Sequence, residues 1–304
     1  MQRDQTKAGV LLAISAYSMW GFAPMYFKLL QSMPALEILL HRIVWSVVVL
    51  FALILVLRHH HKVLSALKNK KVVTTLLLSG LLLAGNWLLF IWAVNNDHLL
   101  DASLGYYINP LLNVLLGYLF LGERLRKLQQ VAVVMATIGV AFLVISVGRL
   151  PWIALVLAGS FGVYGLMRKK VAVESIPGLY VESLMMLPFA IWFWWAMASP
   201  ASNMLNNNSE MNLILIAAGV VTTAPLLCFT AAARRIQYST LGFFQYIGPS
   251  IMFLLAVFLY GEPLDENRLI TFGFVWSALI LFSFDSWRAY QIKNRPVHRE
   301  LVKD

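Results

Sequence analysis

The chain has 304 residues, 60% of them hydrophobic and only 12% charged, and its mean hydropathy is +0.74. A soluble domain of this length needs roughly a quarter of its residues charged to clothe its surface, so the composition excludes one and leaves no room for a soluble catalytic domain. The formal charge of +10 would suit a nucleic-acid surface, but its placement along the chain excludes that partner too.

A helix needs about 20 mainly apolar residues to cross about 30 Å of hydrocarbon, where unpaired backbone groups find no water. Ten stretches qualify: 8–30, 35–57, 72–94, 99–121, 128–147, 152–167, 179–198, 211–233, 239–260 and 269–286. The expected fold is an all-α integral membrane protein with ten transmembrane helices. The first stretch follows Asp4 and Lys7 and runs past any plausible cleavage point, which predicts a retained helix rather than a signal peptide. It carries Trp20 and Tyr26, an internal Pro24, and ends on Lys28, a cation placed to snorkel to the headgroups.

The second stretch holds Glu37, His41 and Trp45 at intervals of four, which places them within a stripe of about 80° on one helix face. An ionisable group near a helix centre costs at least about 2.5–3.5 kcal/mol unless partnered, so these residues need a reason to be there. Two readings fit: the stripe borders a cavity and binds substrate or relays a proton through Glu37 and His41, or a Glu–His hydrogen bond pins neighbouring helices. Arg42 lies about 140° around the helix from Glu37 and needs its own acceptor: a carboxylate, free carbonyls or an anionic substrate. The following His59-His60-His61 reads as three consecutive loop residues, which give poor ligand geometry; no metal or cofactor is expected.

The third and fourth stretches add Asn86, Trp87, Tyr106, Tyr107, Asn109 and Asn113, with Pro110 inside the fourth and Gly122-Glu123 closing it. Tyr164 lies in the sixth stretch. Glu182, about five residues into the seventh, reads as an interfacial carboxylate near Arg168 or Lys169, with a second proton site as the alternative. The loop sequence Asn207-Asn208-Ser209 matches a glycosylation pattern that is common by chance, and the lone Cys228 permits no internal disulfide. Pro225 interrupts the eighth stretch; Gln245, Tyr246 and Pro249 lie in the ninth, which ends at Gly261-Glu262. Amides and phenols facing lipid would be poorly satisfied, so Trp20, Tyr26, Asn86, Trp87, Tyr106, Tyr107, Asn109, Asn113, Tyr164, Gln245 and Tyr246 are expected to point inward. Together with Glu37, His41, Arg42 and Trp45 they form the candidate cavity set, suited to a partly aromatic small organic molecule; bonding helix to helix is the other role open to them. Pro24, Pro110, Pro225 and Pro249 each remove a backbone bond inside a span and are candidate pivots or plain bends.

Charge placement sets the expected topology. With the N-terminus in the cytoplasm, twenty of the 24 Lys and Arg fall on that side, in clusters such as Arg58/Lys62/Lys68/Lys70/Lys71, Arg124/Arg126/Lys127 and Arg168/Lys169/Lys170. This positive-inside bias predicts that both termini are cytoplasmic.

Sliding the chain against itself by 139 residues aligns Tyr107, Ile108 and Pro110 with Tyr246, Ile247 and Pro249, and Gly122-Glu123 with Gly261-Glu262. A repeat of five spans enters the membrane from opposite sides in its two copies, the architecture that exposes one site alternately to either face. The expected division is 1–147 and 148–288 for the two copies, with 289–304 a basic cytoplasmic tail.

These marks resemble the drug/metabolite transporter superfamily, in particular its EamA-type members. Trp20-Gly21-Phe22-Ala23-Pro24-x-Tyr26-Phe27-Lys28, Glu37-Ile38-Leu39-x-His41-Arg42-Ile43-x-Trp45-Ser46, Asn86-Trp87 and Ser103 through Pro110 resemble, more narrowly, the RarD permeases. The resemblance covers about residues 7–286. It implies a bacterial inner-membrane permease with a central cavity, and it carries the traditional label of chloramphenicol sensitivity or resistance. The expected function is a secondary transporter that exports a small organic metabolite or drug by alternating access, in contact with lipid and either coupled to protons or uncoupled. No G-x-x-x-x-G-K-[ST] sequence is present to drive transport with ATP. An intramembrane enzyme acting on a lipid is the rival class, but H-E-x-x-H, paired intramembrane aspartates and a recognisable Ser/His frame are all missing. A channel is the other rival.

Overall fold

The computed structural model describes residues 2–30, 33–95, 98–148, 150–197, 199, 202–261 and 266–293. All its regular structure is helical: α1 (Gln2–Lys28), α2 (Ala35–Val56), α3 (His60–Lys68), α4 (Lys70–Asn95), α5 (Leu99–Leu121), α6 (Lys127–Val147), α7 (Trp152–Lys170), α8 (Ser175–Met197), α9 (Ser209–Ala233), α10 (Tyr238–Phe244), α11 (Ile247–Leu254) and α12 (Glu266–Lys293). Among the described residues nine helical segments are long and apolar enough to cross a membrane, with α10 and α11 counted as parts of one. The remaining long helix, α7, has 19 residues and ends on Arg168, Lys169 and Lys170, whose charge lowers its hydropathy.

Stops and starts follow from local chemistry. Gly122 and Gly261 adopt left-handed φ values of 65° and 66°, a conformation that only glycine enters without strain. Beyond Gly122, Glu123 turns back and caps another helix. Its Oε1 accepts the Tyr238 backbone N–H at 2.6 Å, and its Oε2 accepts the Ser239 N–H at 2.9 Å and the Ser239 hydroxyl at 2.8 Å. The first N–H groups of a helix have no intrahelical partner, and a carboxylate there also faces the positive end of the helix dipole. Glu262, Arg149 and the tail from 294 lie outside the described residues.

The loop expected at His59–His61 is instead the start of α3, with His59 at its N-cap and Val63 and Ala66 buried. Nine residues in a charged stretch give too short an apolar stripe to stand out, and packing against Ile54, Leu76 and Val181 supplies what local propensity does not. Asn208, within the glycosylation-like pattern, caps α9 by accepting the Met211 N–H at 2.8 Å.

The prolines behave differently from one another. Pro24, Pro110 and Pro225 sit inside continuous helices, as does Pro188 of α8. At Pro249 the helix is interrupted three residues earlier: Pro249 has no N–H for the Gln245 carbonyl, which accepts from Gly248 at 3.1 Å instead. Gln245 and Tyr246 make similarly tight i−3 bonds, so α10 and α11 are separated by a short non-α turn, and a π-helical turn at Leu255–Leu259 follows.

The chain forms two compact units, one from residues 1–123 and 149–263, the other from 124–148 and 264–304. In the smaller unit α6 packs on α12. Arg126 Nε donates to Asp285 Oδ2 at 2.5 Å and Gln129 to the Ser286 hydroxyl at 3.2 Å. Gly139 permits the close approach: a Cβ there would lie 2.7 Å from Phe274 Cβ. The larger unit contains the other helices. Its core gathers Tyr17, Trp20, Phe161, Tyr164 and Phe229, with ring centroids 5.2–6.3 Å apart. At one end Lys169 donates to the Ala233 and Ile236 carbonyls at 2.7 and 2.5 Å, and Arg234 bonds the Val173 carbonyl, so cations satisfy helix-terminal acceptors.

Candidate functional site

A narrow pocket, about 10 Å³ in volume, lies within the larger unit. Four helices line it: α2 through Arg42, Ile43, Ser46 and Leu50; α4 through Leu83 and Trp87; α8 through Leu179, Glu182, Ser183 and Met186; α9 through Thr222, Thr223 and Leu226. Spacings of three, four and seven put each set on a single helix face. The walls are mostly apolar, and the polar groups are few and placed.

Arg42 is the cation on this wall. Its Nε donates to Thr222 Oγ1 at 2.8 Å, and its guanidinium carbon sits 4.8 Å from the Trp87 ring centroid and 5.3 Å from that of Phe27. Among the described residues no carboxylate forms an ion pair with it. Thr223, 2% exposed, has a hydroxyl with no hydrogen-bond partner there. Gly219 lets α9 press against α2: a Cβ at that position would lie 2.5 Å from the Trp45 carbonyl. The backbone of α2 is thereby fixed beside Arg42.

Glu182 meets Arg168, one of the two cations expected beside it. It is buried in the pocket wall, 3.6 Å from Arg168 Nη1, with both side chains 1% exposed. The Ser79 hydroxyl donates to its Oε1, and Arg168 Nη2 reaches the Ser175 carbonyl at 3.3 Å. Gly178 makes room for the guanidinium, whose atoms a Cβ would meet directly. The short connection between α7 and α8 folds Arg168 back to the carboxylate, and both charges leave water together.

The other expected site residues are not among those lining the pocket, though Tyr26 and Tyr106 lie close enough to Arg42 to feel its charge. Glu37 accepts from Ser199 with both oxygens, from the backbone N–H at 2.8 Å and the hydroxyl at 2.7 Å. His41 Nε2 lies 3.1 Å from Ser202 Oγ and 3.2 Å from its carbonyl, and the ring meets Trp194 edge-on at 4.7 Å. Both residues thus hold the connection between α8 and α9; His41 Nδ1 is buried without a partner. Trp45 packs on α9, and its indole N–H is likewise buried and unpaired. Tyr26 donates to the Ile214 carbonyl at 2.7 Å. Asn86 joins α4 to α7 through the Leu157 carbonyl and the Ser160 hydroxyl, both at 2.8 Å. Asn109 donates to the Ala158 carbonyl at 2.5 Å, Asn113 to Asn109 and to Gln245 at 3.1 Å each. Tyr246 donates to the Tyr107 carbonyl at 3.2 Å. Trp20 and Tyr164 belong to the aromatic core, and Tyr106, 38% exposed, meets Phe90 edge-on. Lys28 lies 3.6 Å over the Tyr260 ring.

Arg42 and Trp87 are therefore the residues that sequence reading and pocket share. Ser46, Ser183, Thr222 and Thr223 were missed. The adjacent threonines one turn before Pro225 were a usable signal, since two hydroxyls in so apolar a run require acceptors.

Residues 7–145 match the model of the EamA-like transporter family. An uncharacterized transporter of Vibrio cholerae is 56% identical over 96% of this chain and 97% of its own length. Protein RarD of Escherichia coli K12 is 52% identical over 94% and 97% respectively. The chain belongs to the EamA-like transporter family. It is a secondary transporter of the bacterial inner membrane with many spans, closely related to the RarD permeases, and not an enzyme. A more distant relative of this transporter, the chloramphenicol-sensitive protein RarD of Pseudomonas aeruginosa, is 30% identical over 94% of this chain and 97% of its own. A solved crystal structure superposes with a TM-score of 0.73 over 93% of this chain and 99% of the other; at 17% identity it speaks to the fold alone.

Proposed function

We propose that this transporter exports a small organic solute by alternating access, with the pocket among α2, α4, α8 and α9 as the solute site. The observation that carries this reading is the pairing of the pocket walls at the repeat offset. Ile43 and Glu182, Leu83 and Thr222, and Trp87 and Leu226 are each 139 residues apart. Tyr107 and Tyr246, also 139 apart, bond each other, a contact that equivalent residues of two copies make only beside the axis relating them.

The packing pattern supports two inverted five-helix repeats, with α7 as the tenth span. Exchanging α1 with α7, α2 with α8, α4 with α9 and α5 with α10/α11 turns the α1–α9 contact into α7–α4, α1–α11 into α7–α5, and α2–α9 into α8–α4. The α2–α8, α5–α10 and α6–α12 contacts exchange with themselves. The basic clusters support cytoplasmic termini. In this reading Asn86, Asn109, Gln245, Tyr107 and Tyr246 hold helices in register, and the break before Pro249 is the flexing point of its span. A pocket of convergent polar groups in apolar walls suits an organic molecule better than an inorganic ion.

Proton coupling through Glu37 and His41 is a second reading, favoured by the buried, unpartnered His41 Nδ1. In proteoliposomes, transport that responds to an imposed pH gradient and loses that response in His41→Gln supports it; transport indifferent to the gradient removes it. The solute site itself is tested by counterflow of a panel of amino acids, nucleosides and aromatic antibiotics. Saturable exchange of at least one, lost in Trp87→Ala and Thr222→Ala, is expected. Exchange untouched by both variants refutes the assignment.

A further inference from the structure

Arg42 presents a cation to an apolar pocket and forms no ion pair among the described residues. Its Nε is taken by Thr222, and Trp87 and Phe27 cover its faces at 4.8 and 5.3 Å. Those contacts fix the plane of the guanidinium and leave its terminal nitrogens without an acceptor among the described residues. Glu182 shares the pocket but is held by Arg168 at 3.6 Å and by Ser79. That pair cancels within itself, so Arg42 leaves the pocket one positive charge in excess. The hydroxyl of Thr223, buried in the same wall, has no partner either.

We propose that the solute is an organic monoanion, a carboxylate with an apolar or aromatic body, and that Arg42 receives its carboxylate while Thr223 donates the neighbouring hydrogen bond. The proposal rests on the pocket being the solute site. A planar guanidinium matches a carboxylate through two parallel N–H···O bonds, which a lysine does not reproduce. One carboxylate cancels the excess charge, whereas a neutral solute leaves the cation uncompensated and a cationic solute adds to it. Leu83, Leu226 and Met186 line the same pocket and take the apolar body once its four helices part, since the pocket as it stands holds only about 10 Å³.

The test measures thermal stabilisation and affinity in purified protein with matched triplets: benzoate, benzamide and benzylamine; phenylacetate with its amide and amine; indole-3-acetate with indole-3-acetamide and tryptamine. Phenylalanine, tryptophan and phenyl phosphate complete the panel. Carboxylates are expected to stabilise, their amides and amines not. Affinity should fall at least about 10-fold in Arg42→Gln and by less in Arg42→Lys, which keeps charge but loses the fork. Without ligand, Arg42→Gln should unfold at or above the wild-type midpoint, because it removes a half-buried cation that forms no ion pair among the described residues; a fall of several degrees makes Arg42 structural and overturns the proposal. So does stabilisation by no carboxylate, tighter binding of the zwitterions or of phenyl phosphate, or carboxylate binding unchanged in Arg42→Gln. Amides or amines that bind and are lost in Trp87→Ala refute the anion class while leaving the pocket standing. Hits indifferent to Trp87→Ala and Thr222→Ala refute the pocket itself.

Discussion

Replacing Glu182 by Gln keeps the shape of the wall and removes one charge of the buried pair. Arg168 would be left 1% exposed with the Ser175 carbonyl at 3.3 Å as its acceptor. At 3.6 Å and an effective dielectric of about 20, the lost attraction is on the order of 4–5 kcal/mol. Breaking a buried pair by removing one partner costs about 3–5 kcal/mol, because the remaining charge stays desolvated. The two figures agree, so Glu182→Gln should lower unfolding free energy by about 3–5 kcal/mol. The double replacement Arg168→Met/Glu182→Leu removes both charges and should recover all but about 1 kcal/mol of it. The assay is SDS unfolding in mixed micelles followed by the fluorescence of the ten tryptophans. A Glu182→Gln variant within about 0.5 kcal/mol of wild type, or a double variant no better than the worse single one, refutes the claim that the pair is desolvated and mutually dependent.

Three further outcomes are expected. Glu123→Ala leaves two backbone N–H groups of α10 and the Ser239 hydroxyl without the carboxylate and should cost about 2–3 kcal/mol in the same unfolding assay, with Glu123→Gln in between. Gly219→Ala puts a methyl 2.5 Å from the Trp45 carbonyl; it should cost about 1–3 kcal/mol and weaken solute binding by displacing α2 beside Arg42, measurable by thermal shift. The Glu174 carboxyl is held below the usual carboxylate range, chiefly by its hydrogen bond to the Lys62 ammonium. A depressed folded-state value contributes stability fully above the ordinary value of 4.5 and loses it as pH falls through the folded one. Glu174→Gln should therefore destabilise by no more than about 1 kcal/mol at pH 7, an effect erased by molar salt and by acid below pH 4.5, since both groups are part-exposed.

The long helices were legible because apolar length is a direct physical requirement of the bilayer, and the stop at Gly122 because a left-handed residue leaves a glycine mark. So was the angular separation of Arg42 from Glu37, which the structure realises by sending one to the pocket and the other to Ser199. What the two residues would meet was not legible, since Ser199 and Ser202 lie in a connection with no periodicity to place it. Arg168 as a neighbour of Glu182 was legible; that both would be buried together was not, since position along a helix does not tell whether the preceding helix folds a cation over it. Helix α3 escaped notice for want of length, and the break at Gln245–Tyr246 read as a kink because a proline predicts a missing bond without predicting how the freed carbonyl is served. The amides announced themselves as inward-facing, but a sequence does not distinguish an inward amide that bonds a carbonyl from one that bonds a solute.

Alternating access requires one pocket to be reached in turn from the two sides of the membrane. Thr223→Cys in a Cys228→Ser background places a single thiol in its wall. Membrane-impermeant maleimide applied separately to right-side-out and inverted vesicles should label it from both sides, with saturating solute shifting the balance. Labelling from one side alone, or from neither, with or without solute, contradicts the account.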